Sequence, residues 1–142
     1  MRIVIWNDVP DVGNRISTGL VQAGFAEPEY SVRVIIATSY DDFAAQMDPD
    51  FVDIESRRRF FNDSLLVSDL GLANGVDAVA RAQPFRDLMN LVHPYHDHHI
   101  IVFSANANLP AVVGEEYFHH VRRLANANVR QLAVLVRDVL TV

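Results

Sequence analysis

IVIWND, residues 3–8, is a short run of branched and aromatic residues closed by an amide and an acid, with Pro10 just beyond. An apolar run without polar alternation predicts a strand buried on both faces, ending here in a polar turn. Working outward, Val12, Ile16, Leu20 and Ala23 recur at helical spacing, and Gly24 supplies a stop. VRVIIA, residues 32–37, predicts a second strand. Thr38 or Ser39 then caps a helix from Tyr40 to Met47, with Asp41 and Asp42 favouring its first turn. SLLVS, residues 64–68, predicts a third strand ending at Asp69, followed by a glycine-bearing loop from Gly71 to Gly75.

Val76, Val79, Ala80 and Gln83 begin another helical pattern, which Pro84 either kinks or restarts through Leu91 or Val92. Ile100 to Phe103 predicts a fourth strand ending at Ser104, and Tyr117 to Val121 a short fifth one. The final helix is the clearest: Val129, Leu132, Ala133, Val136, Val139 and Leu140 share a face, with Arg130 and Arg137 off it. Residues 48–63, DPDFVDIESRRRFFND, carry no clean period and predict an irregular or partly helical insertion. Within it, Arg57, Arg58 and Arg59 beside Phe60 and Phe61 predict a basic helix face over a buried aromatic pair.

Strand and helix alternate about five times. Right-handed crossovers turn that order into a five-stranded, doubly wound parallel sheet, an α/β fold of flavodoxin-like type spanning residues 1–142 as one domain. Half of the 142 residues are hydrophobic, enough to bury a core. The formal net charge of -6 argues against a nucleic-acid binder. Without cysteine there is no disulfide framework, thiolate zinc site or thiol catalysis. No apolar run reaches the ~18 residues that span a membrane, and the N-terminal run turns acidic too early for a signal peptide. The expectation is a cytoplasmic protein with no membrane or nucleic-acid partner.

In such sheets, ligands bind outside the carboxyl ends of the strands. Those ends carry Asn7-Asp8, Asp69 and Ser104, with His119-His120 on the fifth strand. Two carboxylates and an amide oxygen at one edge form an oxygen site for a hard cation such as Mg²⁺. The cation relieves the repulsion between the acids and lets one act as a nucleophile toward phosphorus. Ser104 would donate to a phosphoryl oxygen.

These segments resemble the receiver domain of two-component response regulators. The family's acidic pair after strand one matches Asn7-Asp8 in IVIWND. Its phosphoacceptor matches Asp69 in LLVSDLGLANG, and its Ser/Thr-Ala after strand four matches Ser104-Ala105 in IIVFSAN. Its aromatic-bearing fifth strand matches EEYFHHV, with Tyr117 at the aromatic position. The resemblance implies phosphoryl transfer to Asp69 from a histidine kinase or phosphotransfer protein. It also implies Mg²⁺ held by Asp8, Asp69 and Asn7, and output to a downstream protein target. Catalysis would be limited to self-phosphorylation and self-dephosphorylation, with no metabolic reaction. Receivers often form a homodimer through the last helix and strands.

Three departures stand out. Asn7 replaces an acid, Ala73 lies near where the loop proline belongs, and the fifth-strand lysine is missing. By alignment His120 takes the lysine's place, with Arg122 a second candidate if the register slips. The alternative expectation is therefore a pseudo-receiver, a protein-binding module in which phosphorylation plays no part. A third concerns His93, His96, His98 and His99 in HPYHDHH, a spacing that can bind zinc, copper or nickel.

Overall fold

The computed structural model describes residues 1–69, 82–92, 99–104, 122–125 and 128–140. In chain order these form β1 (Arg2–Asn7), α1 (Pro10–Gln22), β2 (Ser31–Ile36), α2 (Tyr40–Gln46), α3 (Ile54–Asp63), β3 (Ser64–Asp69), α4 (Gln83–Val92), β4 (Ile100–Ser104), β5 (Arg122–Ala125) and α5 (Val129–Leu140). The strands make one parallel sheet in the order β2-β1-β3-β4-β5.

Strand residues point alternately to the two faces, so a sheet covered on both sides needs unbroken apolar strands. β1 and β3 meet that demand. Val4, Trp6 and Leu66 face one core with Phe43, Phe60, Phe61, Phe85 and Leu88 from α2, α3 and α4. Ile3, Ile5, Leu65 and Val67 face the other with Ile16, Leu20, Leu132 and Val136 from α1 and α5. This is the doubly wound arrangement, with helices on opposite sides of the sheet.

Local signals account for the helix ends. Pro10 opens α1, where its missing N–H costs nothing. The helix stops at Ala23 because Gly24 takes φ +108°, a conformation costly for other residues. Arg137 of α5 then donates to the Ala23 carbonyl at 2.6 Å and lies over the Phe25 ring, tying the two helices together. Ser39 caps α2 by accepting from Asp42 N. Asn128 and Gln131 form a reciprocal capping pair at α5, each side-chain oxygen accepting from the other's backbone N–H at 2.9 Å.

The stretch at 48–63 is partly helical, as expected: its helix, α3, buries Phe60 and Phe61 and is capped by Asp53, whose carboxylate accepts from Ser56 N at 2.8 Å. The described fifth strand is Arg122–Ala125, which pairs Ile101 with Arg122 through Ser104 with Ala125, while the stretch 117–121 expected to form it lies outside the described residues.

Candidate functional site

The site lies at the carboxyl edge of the sheet. β1 and β3 run side by side in a register that sets Asn7 against Asp69, while Asn7 also faces Ile36 of β2. Asn7 and Asp69 are each 0% exposed. The Asn7 Nδ2 donates to Asp69 Oδ2 at 2.8 Å, and Asn7 Oδ1 accepts from Val9 N at 2.6 Å. The second bond closes the polar turn before Pro10, a local use of asparagine that suits this residue type. The Asn7 carbonyl accepts from Ala37 N at 3.1 Å, fastening the turn to the end of β2.

Asp8 follows directly, partly exposed, with Oδ1 shielded from solvent. Ser104 closes β4. Val102 pairs with Ser68, so Ser104 stands at the same edge, one strand beyond Asp69. His120 lies outside the described residues, and β5 is described from Arg122 onward. The sequence past the carboxyl end of β5 reads Asn126-Ala127-Asn128, with no cationic side chain.

Below this edge, Trp6 stacks on Phe43 with ring centroids 4.0 Å apart, and its indole Nε1 donates to the Ala37 carbonyl at 3.1 Å. The sequence marks Trp6 as apolar but gives no sign of this partner, because Phe43 is 37 residues away in α2. Tyr40, at the start of α2, is half-buried against the same core. Burial pushes its phenol above the ordinary value, while the Arg57 guanidinium works in the opposite direction. Of the HPYHDHH histidines, only His99 is described. Its Nδ1 lies 3.0 Å from the Ser64 carbonyl, at the other end of β3.

The residues can be tested against Mg²⁺ on this geometry. Its ligands are oxygens. Asn7 presents nitrogen, not oxygen, to Asp69, and its oxygen is engaged by Val9 N. Among the described residues no group of three or more His, Asp or Glu could hold a metal ion. The described residues therefore do not fit a three-ligand Mg²⁺ site that includes Asn7.

Several solved structures share this fold. A protein of Burkholderia thailandensis assigned to pilus assembly (cpaE) is 16% identical and has a TM-score of 0.60, covering 100% of this chain and 99% of that one. A pilus assembly-related protein of Burkholderia pseudomallei is 17% identical at a TM-score of 0.58, covering 99% and 90%. A two-component transcriptional regulator AraC from Clostridium phytofermentans is 10% identical at 0.51, covering 99% and 92%. The chain thus shares the doubly wound α/β fold of these structures over nearly its whole length. No family model and no curated protein matches it. Among the described residues no helix is long and apolar enough to cross a membrane.

Proposed function

We propose that this chain is a receiver-type domain working as a protein-docking module, in which Asp69 organises the sheet edge instead of passing on a phosphoryl group. The observation that carries this reading is the buried bond from Asn7 Nδ2 to Asp69 Oδ2. It commits one oxygen of the carboxylate that would have to attack phosphorus. The three residues after β5, Asn126-Ala127-Asn128, support it too, because they offer phosphoryl charge no lysine to meet. The partner is a protein. Likeness to the two pilus-related structures makes an assembly component the first class to try.

Trp6 is the only tryptophan and lies one residue from Asn7, so its emission reports on this edge. Beryllofluoride with Mg²⁺, a phosphoryl mimic, is expected to leave that emission unchanged, and Asp69→Asn to leave partner capture intact. A saturable emission change, or loss of capture in Asp69→Asn, would overturn the reading.

A second reading is favoured by one observation: Asp8 directly follows the end of β1, and Asp69 ends the neighbouring β3. In it an Asp69 oxygen attacks the phosphorus of a phosphohistidine on a histidine kinase or phosphotransfer protein. The P–N bond breaks, the imidazole leaves, and an acyl phosphate forms. Transfer of radiolabel from a phosphohistidine donor to the wild type but not to Asp69→Asn would establish it.

A further inference from the structure

Resting on the docking reading, we propose that the Asn7 amide stands in for a cation beside Asp69, so that the sheet edge is complete without metal and exchanging that amide for a carboxylate creates cation dependence. A carboxylate with no solvent exposure needs compensating positive charge. The Asn7 Nδ2 group supplies part of it at 2.8 Å from Asp69 Oδ2, in the gap between the ends of β1 and β3. A divalent ion bridging positions 7 and 69 would have to occupy that gap.

The amide orientation is set from both ends. Val9 N–H requires an acceptor and Asp69 Oδ2 requires a donor. Turning the amide over would put oxygen against the carboxylate and NH₂ against N–H, replacing two attractions by two repulsions. The group cannot offer its oxygen to a cation in the gap without losing its hold on Asp69.

Asn7→Asp is nearly isosteric and isolates the effect. The new carboxylate keeps an acceptor for Val9 N, so the turn survives. Its other oxygen faces Asp69 Oδ2 across the distance the amide bond now spans, and Asp8 adds a third acid nearby. Like charges that close cannot both stay ionised without a counter-charge. A divalent cation is the direct remedy, and ions that bind only the folded state raise its melting temperature.

The test is thermal unfolding of the wild type, Asn7→Asp and the Asn7→Asp/Asp69→Asn double variant in EDTA, Mg²⁺, Ca²⁺ and Mn²⁺. The wild type is expected to melt at one temperature in all four. Asn7→Asp is expected to melt several degrees lower in EDTA and to recover with saturable dependence on the cation. The double variant, with one carboxylate removed, is expected to lose that response. If Asn7→Asp does not fold in EDTA, its far-ultraviolet dichroism is followed as Mn²⁺ is added. Recovery supports the inference, and failure to fold at any cation concentration overturns it.

Saturable stabilisation of the wild type by Mg²⁺, or an Asn7→Asp protein indifferent to all three ions, overturns it as well. The two proposals fail separately. A wild type that answers beryllofluoride but not Mg²⁺ alone would sink the docking reading and leave the amide's role standing. One that Mg²⁺ alone stabilises would sink the amide's role whatever beryllofluoride does.

Discussion

Replacing Asp69 by Asn and by Ala separates the two jobs its carboxylate does, filling space and accepting from Asn7. Both residues are 0% exposed and joined at 2.8 Å. Asp69→Ala strands the Asn7 donor, and a buried unsatisfied polar group costs about 1–3 kcal/mol. The lost atoms leave a small cavity whose walls relax only in part, which brings the total to roughly 2–4 kcal/mol. Asp69→Asn keeps the shape and an acceptor oxygen. A neutral hydrogen bond is worth about 1 kcal/mol less than one to a charged group, and relief of burying an anion offsets part of that. The Asn variant should therefore lie within about 1 kcal/mol of wild type, well above the Ala variant. Urea unfolding followed by Trp6 emission measures both, since unfolding takes the indole from its Phe43 stack into water. Equal loss in the two variants, or no loss in Asp69→Ala, would refute the reasoning.

Other positions give independent checks. A Cβ on Gly13 would lie 2.8 Å from Val34 Cγ1 and 3.3 Å from Asn7 Cβ. Overpacking of about 1–3 kcal/mol should therefore outweigh the ~1 kcal/mol helix gain in Gly13→Ala. Adding Val34→Ala should restore part of the loss in the same urea assay. Asp53 is held below its ordinary value of 3.8, chiefly by the backbone N–H of Ser56. Its contribution is thus fully present above that value and lost as pH falls through the lower folded one. The melting-temperature gap between wild type and Asp53→Ala should close in acid, and a gap that widens would contradict the cap. Arg2 and Asp50 form a bidentate pair at 2.7 and 3.1 Å, but Arg2 is 44% exposed. Asp50→Ala should cost under about 1 kcal/mol and less in high salt, as a salt series of urea midpoints would show.

Most of the fold was legible because each buried strand advertises itself. IVIW and SLLVS have no polar alternation, and that happens only when both faces are covered. Caps at Ser39 and the stop at Gly24 were readable for the same local reason. The helix over 54–63 was legible in part: Arg57, Arg58 and Arg59 beside Phe60 and Phe61 told of a basic face over a buried pair, but the whole 48–63 stretch has no clean period to fix the helix ends. β5 carries little pattern in the sequence, because its four described residues have too few side chains for one, and pairing with β4 sets their place. At the site, residue types told of acids and an amide at one edge. They did not tell which amide atom faces Asp69. That follows from the parallel register of β1 and β3 and from the turn at Val9, both products of the folded chain.

The side-chain amide protons of Asn7 offer the most direct measurement. In a ¹⁵N-labelled sample, a lasting bond to Asp69 places one Nδ2 proton downfield, distinct from its twin and slow to exchange with water. The expected spectrum keeps that signal unchanged when Mg²⁺ is added. A fast-exchanging, averaged pair, or a downfield proton that collapses on adding Mg²⁺, would contradict the claim that this amide completes the site.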